Sequence, residues 1–335
     1  MTKTTNSFPF IYKFILFTIL LIGAFFLAMV LGAADTTVKQ VWLALTSNVK
    51  TDTILMIREI RLPREIAAIF VGAGLAVAGA IMQGITRNPL ADPSILGLTA
   101  GANAALALTI AFLPASNYFI IMVACFVGAA VGTILVVSIG AVKKGGFSPL
   151  RIVLAGAAVS AFLHAIAQGV GIYFKISRDV SMWSAGGIIG TTWGQLQVII
   201  PFIISGIILS ILLSRQLTIL SLNEELAIGL GQKITLVKNI LFIVVILLAG
   251  ASVALVGNLA FIGLMIPHIV RGIVGTDYRH ILPMSAVVGA IFMLIADTLG
   301  RNLNAPFEIP VQAIVAILGL PFFLFIVRKG GKVFS

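Results

Sequence analysis

The sequence predicts an all-α membrane protein with about ten spanning helices and both termini on the cytoplasmic side. Three observations carry that expectation. Of 335 residues, 60% are hydrophobic and only 10% charged, whereas a soluble domain has about 25% charged residues. Apolar runs recur along the chain at about the twenty-residue length that crosses a bilayer. The runs are continuous rather than alternating, which argues against a membrane β-barrel.

Taken in order, the predicted spans are residues 11–33, 65–84, 94–113, 118–142, 150–173, 195–213, 234–256, 258–272, 281–299 and 309–327. The first is long enough to cross, and no small-residue cleavage motif leading into a soluble domain follows it, so it reads as a span rather than a signal peptide. The polar interval 35–64 holds a short interfacial helix around Val38 to Leu45. Pro63 suits the first turn of the second span, where a missing N–H costs nothing. Two tight turns follow, RNPLADP at 87–93 and the basic KKGGFSP at 143–149. The stretch 175–194 is polar and glycine-rich and carries Trp183 and Trp193, which suits an interface. The run 258–272 is apolar but short and broken by Pro267. Gly72–Gly79 (GAGLAVAG) and Gly250–Gly257 (GASVALVG) echo one another in spans of opposite direction, as inverted repeats do in transporters. Gly97/Gly101 and Gly128/Gly132 are small-residue pairs that permit close helix packing.

Charge orients the chain. The net charge is +11, but the cations sit in short clusters between apolar runs, which excludes a nucleic-acid-binding surface and fits an excess in cytoplasmic loops. With termini inside, 14 of the 22 Lys and Arg residues fall on the cytoplasmic side. The exceptions are informative: Arg58, Arg61 and Arg64 cluster on the outer side, and Arg301 joins them from a distant loop. As a group these arginines are either snorkelling anchors neutralised by Glu59 and Glu65 or a docking patch for an acidic partner.

One stretch belongs to no span: Leu217–Lys233, LTILSLNEELAIGLGQK, on the cytoplasmic side. Asn223 is positioned to cap a short helix, Glu224 and Glu225 suit its positive end, and Gly229 and Gly231 end it. It reads as a surface on which another protein acts. The chain has no Walker ATP site: Gly331–Lys332 is followed by Val333 rather than Ser or Thr. Its single cysteine, Cys125, excludes an intrachain disulfide, and three scattered histidines do not make a metal site. Asp297 is an ionisable group within a span, either functional or paired with Arg301 one helical turn on. His164 and Gln168, four residues apart, either face a pore or bond a neighbouring helix. No hydrolytic constellation and no set of buried carboxylates for an ion relay is present. An ion-gradient-driven secondary transporter is the alternative class.

The segments RLPR (61–64), GAGLAVAGAIMQ (72–83), RNPLADPSILGLTAGA (87–102), LAG (154–156), the 217–231 loop and AFIGLMIPHIVR (260–271) together resemble one family, the FecCD/BtuC-like permeases of ATP-driven importers for iron–siderophore complexes, haem and cobalamin. The resemblance runs over residues 11–328. It implies a transport subunit rather than an enzyme, in a bacterial cell membrane. Its implied partners are a second permease subunit, two cytoplasmic ATP-binding subunits and an extracytoplasmic binding protein. It implies no bound cofactor, with ATP used by the partner subunits. Iron(III)–siderophore is the expected substrate, haem and cobalamin being the alternatives. By the same resemblance, Arg61, Arg64 and Arg301 dock the binding protein. Leu220, Asn223, Glu224, Glu225, Leu226 and Gly231 belong to the coupling segment. Ser148, Pro149 and Leu150 mark the inner gate, where Pro149 replaces a small hydroxyl residue. His164, Gln168 and Tyr173 line the path.

Overall fold

A computed structural model describes residues 9–32, 36–141, 149–185, 187–305 and 307–330, and among them the regular structure is entirely helical. Each predicted span overlaps one helix. Seven helical stretches are long and apolar enough to cross a membrane: Phe10–Val30, Asp52–Thr86, Tyr118–Gly140, Arg151–Tyr173, Trp193–Leu212, Ile234–Val256 and Tyr278–Asn302. Three shorter apolar helices accompany them, Leu98–Phe112, Ile262–Val274 and Val311–Leu324. The chain is a multi-pass membrane protein.

The helices are α1 (Phe10–Val30), α2 (Val38–Thr46), α3 (Asp52–Met56), α4 (Leu62–Thr86), α5 (Leu98–Phe112), α6 (Tyr118–Ala141), α7 (Pro149–Tyr173), α8 (Ser177–Ala185), α9 (Trp193–Leu212), α10 (Ser214–Leu222), α11 (Glu224–Gly229), α12 (Ile234–Val256), α13 (Ile262–Val274), α14 (Tyr278–Asn302) and α15 (Val311–Gly330). Helix α4 is the axis of the fold and packs on α9, α12, α13 and α14. Its sequence explains this. Lipid supplies no hydrophobic drive between helices, so helices associate by close backbone packing on small residues. A Cβ on Gly79 would stand 1.9 Å from the Gly263 carbonyl oxygen of α13, and one on Gly72 would stand 2.3 Å from that of Gly289 on α14. The two echoing segments lie in the middle of α4 and at the end of α12, helices that pack on each other. Cys125 is buried among apolar neighbours on α6.

Two local features differ from the sequence expectation. Helix α4 begins at Leu62, near the predicted start at residue 65, but the helical stretch continues upstream of it. A π-helical turn over Ile57–Arg61 joins α3 to α4, and the Leu62 N–H bonds the Ile57 carbonyl. Pro63 offers no N–H to continue an α ladder, and a widened turn accommodates that. Nor does Pro267 break α13, which runs through it. The carbonyl of Gly263, four residues before, has lost its helical donor. The Gln83 side-chain amide supplies one at 3.1 Å and reaches the Leu264 carbonyl at 3.1 Å. The polar stretch after α7 also forms a helix of its own, α8, before α9 begins.

Candidate functional site

Three sets of side chains stand out, at the two ends of the helical bundle and along α7. At the first end, the start of α4 meets the end of α14 and of α1. Arg61 donates to the Met29 carbonyl at 2.9 Å, to the Val30 carbonyl at 3.3 Å and to the Thr36 hydroxyl at 2.7 Å. Arg64 forks between two carboxylates. Its Nε and Nη2 each reach Asp297 at 2.9 Å, and its Nη1 reaches both oxygens of Glu308 at 2.9 Å. Arg301 pairs with Glu65 through a short contact, donates to the Ala28 carbonyl at 3.2 Å, and has Nε 3.2 Å from Asp297. Three guanidinium groups thus meet three carboxylates. The structure brings Arg61, Arg64 and Arg301 together and gives each of them internal partners. Arg61 and Arg301 are 6% and 4% exposed, and Arg64 is the most accessible of the three. Asp297 is paired with Arg301 at i+4, as the spacing suggests, and with Arg64 as well. Arg58 stands apart and is bonded to the carbonyls of Ala44 at 2.7 Å and Val49 at 3.1 Å, while its own carbonyl accepts from the Trp193 indole at 3.0 Å.

The second set lies about 33 Å away, the rise of the 22 residues of α4 between Leu62 and Gly84. There Gly84 faces Leu217 of α10 and Tyr278 of α14. Helices α10 and α11 are far too short to cross a membrane. Leu217, Leu220 and Ala227 are buried and hold the pair to the bundle, whereas Leu222, Leu226, Ile228 and Leu230 are 57–70% exposed. Asn223 caps α11 as its type and position predict, its Oδ1 accepting from the Glu225 N–H at 3.0 Å. Gly231 adopts φ +76°, a left-handed turn that suits glycine. Thr218 locks α10 onto α14. Its hydroxyl donates to Asp277 Oδ1 at 3.2 Å and accepts from the Tyr278 N–H at 3.0 Å. The Arg279 guanidinium bonded to Asp277 holds that carboxyl down at about 2.

The third set is on α7. A cavity of about 400 Å³ between α5, α7 and α8 is lined by Asn103, His164, Gln168, Ser177 and Ser181 among others. His164 and Gln168 are both exposed, in the second half of the helix. Tyr173 is not with them. It is 82% exposed, packs edge-on against Phe174, and lies nine residues from His164, about half a turn round the helix. Of the three gate residues, Ser148 lies outside the described residues, and Pro149 and Leu150 form the first turn of α7.

Sequence reasoning missed Glu308, Thr36, Asn103, Ser177, Ser181, Thr218 and Asp277. Glu308 carried a signal, being one of only 11 acids in the chain and seven residues from the Arg301 that stood out by charge. Serines, threonines and Asn103 carried none, because their partners come from distant elements.

Residues 19–329 match the family described as the FecCD transport family. The chain is 44% identical over 312 residues to the iron(3+)-hydroxamate import system permease protein FhuB of Bacillus subtilis, covering 93% of this chain and 81% of that protein. It is 43% identical over 276 residues to the Fe(3+)-citrate import system permease protein YfmD of the same organism, covering 82% of each. To the Fe(3+) dicitrate transport system permease protein FecC of Escherichia coli it is 36% identical, covering 82% of this chain and 84% of that protein. Among solved structures, an inward-facing metal-chelate type ABC transporter superposes with a TM-score of 0.83 at 27% identity, covering 96% of this chain and all of that one.

Proposed function

From the premise that the chain belongs to the FecCD transport family, we infer that it is the permease subunit of an ATP-driven importer. It forms the path for an iron(III)–siderophore complex across a bacterial cytoplasmic membrane. It is a transport subunit rather than an enzyme. Relatives named for iron(III)-hydroxamate and iron(III)-citrate import support the substrate class.

The observation that carries the ATP-driven part is the α10–α11 unit. It belongs to no span, is anchored in the core by Leu217 and Leu220, and presents Leu222, Leu226, Ile228 and Leu230 outward. Exposed apolar clusters of this kind mark protein contacts. With no ATP site in the chain, the contact is a cytoplasmic ATPase, which pushes on α10 and, through the Thr218–Asp277 tie and the Gly84 contact, on α14 and α4.

At the other end an extracytoplasmic binding protein docks an acid at Arg64, the accessible member of the cluster, while Arg61 and Arg301, expected from the resemblance to dock as well, are buried behind it and brace the site. Glu308 of this chain holds Arg64 until docking exchanges it. The exposed face of α7, with His164 and Gln168, meets a second permease subunit and the path between them. Lipid is a poor neighbour for these two side chains, since polar groups at membrane depth turn toward protein or a water-filled cavity. Gates at the two ends then alternate. The first turn of α7, with Pro149 and Leu150, belongs to the inner gate together with Ser148.

ATP-dependent uptake of a ferric chelate into vesicles, with and without the co-purified ATPase, tests this reading. Replacing Glu225 and Leu226 by glycine should leave ATP hydrolysis running and lower uptake by about tenfold, within the usual size of a coupling energy. Normal coupled uptake would refute the assignment of α11. Uptake that survives loss of ATP but collapses with the proton gradient would refute the importer reading.

A further inference from the structure

We propose that Gln83 is a positioning residue for coupling. Through Arg271 it ties α13 to the corner where α10 meets the bundle, so that α13 carries the ATPase's stroke to the wall of the path. The proposal rests on the importer reading above and names the link inside this chain.

Gln83 lies near the end of α4 and is 2% exposed. A polar side chain buried in this way is expensive unless its polar atoms are bonded. Each of them is. The amide nitrogen donates to the Gly263 and Leu264 carbonyls at 3.1 Å each, and the amide oxygen accepts from the Arg271 guanidinium. The partners fix the orientation, because a flipped amide would set its NH2 against a guanidinium, which only donates.

The carbonyl half of this pattern follows from Pro267, which withholds the N–H that Gly263 would accept. One donor answers that need. The Arg271 half does not follow from it. Arg271 lies beyond the proline, in the last turn of α13, so Gln83 holds that helix on both sides of Pro267.

Arg271 also belongs to the corner at α10. The Tyr278 hydroxyl bonds its guanidinium, and the Tyr278 N–H bonds Thr218 of α10 at 3.0 Å. Gly84, next to Gln83 on α4, is so close to this corner that a Cβ would stand 2.6 Å from Leu217 and 2.9 Å from the Tyr278 ring. Arg271 is therefore shared between Gln83 and the residue to which α10 is tied. It is only half-buried, and without Gln83 it is free to swing to water and leave Tyr278.

The other end of α13 leads to the path. A Cβ on Gly263 would stand 3.0 Å from Pro93 Cδ, and one on Gly156 of α7 would stand 2.0 Å from the Ile95 carbonyl oxygen. Pro93 and Ile95 share the short 3-10 turn Pro93–Leu96. Helix α13 thus touches that turn, and the turn touches α7, the helix of His164 and Gln168. With 13 residues, α13 is about 20 Å long. Close-packed contacts of this kind pass a displacement on, because no void absorbs it.

The test uses the assembled importer in vesicles, this chain co-expressed with its companion subunits and binding protein, supplied with ATP and a radiolabelled ferric trihydroxamate or ferric citrate. The readout is chelate imported per ATP hydrolysed by assembled complex, so a loss of folding does not count as a loss of coupling. Pro267→Ala separates the two halves of the pattern. It returns the N–H to α13 and leaves Gln83 with Arg271 alone to serve. By itself it should couple as wild type does. Adding Gln83→Leu should lower the ratio about tenfold, a usual size for a coupling energy, while ATP hydrolysis continues. Arg271→Met should give the same loss, and Gln83→Leu on top of it should add nothing, as for two members of one interaction. Arg271→Met also decides the matter where Gln83→Leu fails to assemble. A Pro267→Ala, Gln83→Leu variant that couples as well as Pro267→Ala would make Gln83 a purely structural partner of the proline and overturn the proposal. Uncoupling by Pro267→Ala alone, or an unchanged ratio in Arg271→Met, would overturn it too. In each of these cases the importer reading stands. ATP-dependent import of neither chelate by the wild type would overturn both.

Discussion

Replacing Asp297 with asparagine should be among the most destabilising isosteric changes available in this chain. At the arginine-rich end, Arg61, Arg64 and Arg301 are matched by Glu65, Asp297 and Glu308. Asp297 is the shared member: Arg64 approaches it through Nε and Nη2 at 2.9 Å each, and Arg301 Nε lies 3.2 Å away. Its side chain is 2% exposed, and those of Arg64 and Arg301 are 11% and 5% exposed. Removing its charge leaves three cations facing two anions with water excluded, and breaking a buried pair in this way costs about 3–5 kcal/mol. Glu308 serves as the internal comparison. It also pairs with Arg64, but it is 29% exposed, so water replaces it and its loss costs about 1 kcal/mol or less. The expected gap between D297N and E308Q is therefore at least ~2 kcal/mol, more than a tenfold difference in the unfolding constant. Equilibrium unfolding in mixed detergent micelles measures both variants under one condition. Equal losses would show that the cluster is hydrated and that its members act as surface pairs. That result would refute the reasoning from burial.

Three further outcomes follow from the geometry. Gly79→Ala places a Cβ 1.9 Å from a backbone oxygen of Gly263 that cannot swing aside, so it should cost about 1–3 kcal/mol or more. Gly23→Ala on α1, with nothing within 4 Å of its Cβ, should be neutral or gain up to about 1 kcal/mol; the same unfolding measurement ranks them, and equal effects would refute the close-packing argument. Asp277 titrates at about 2 in the fold, below its ordinary value of about 3.9. Its contribution is therefore complete above about pH 4 and is lost as the pH falls toward 2. Because Arg279 is 63% exposed, the loss amounts to about 1 kcal/mol or less, and Asp277→Asn should flatten that part of the acid limb. An unchanged pH profile in the variant would refute it. Leu226→Asp, on a side chain that is 57% exposed, should leave the subunit's own unfolding within about 0.5 kcal/mol yet abolish co-purification of an ATPase; retained co-purification would refute the contact.

The parts of the fold that were legible in the sequence are those written in local pattern. Helix positions follow from continuous apolar runs, the Asn223 cap from one residue type at one place, and the close crossing of α5 with α6 from their small residues. Gly101, for instance, meets the Gly128 carbonyl oxygen with 2.1 Å left for a Cβ. What local pattern does not encode is how neighbours absorb a proline. Pro63 reads as a helix start and Pro267 as a break, and both lie inside continuous helical stretches. In the first case a widened turn makes this possible, and in the second a glutamine from 180 residues away does.

The same limit governs the arginines. Counting charge by loop finds Arg61, Arg64 and Arg301, because cations against the inside bias stand out whatever holds them. It cannot separate a free fork from a buried tie, since that depends on acids brought from elsewhere in the chain. Arg64 lies 233 residues from Asp297 and 244 from Glu308. The pairing bears directly on docking. A guanidinium already satisfied by two carboxylates offers an incoming acid no net gain unless one of the two is released. The exposed partner, Glu308, is the inexpensive one to release. The buried partner, Asp297, keeps Arg64 aimed at the surface while the exchange takes place. On this argument the binding protein competes with Glu308 for Arg64, and E308Q should tighten its docking several-fold in a surface-binding titration against the assembled importer. Weaker docking in E308Q would mean that Glu308 positions Arg64 rather than competing for it.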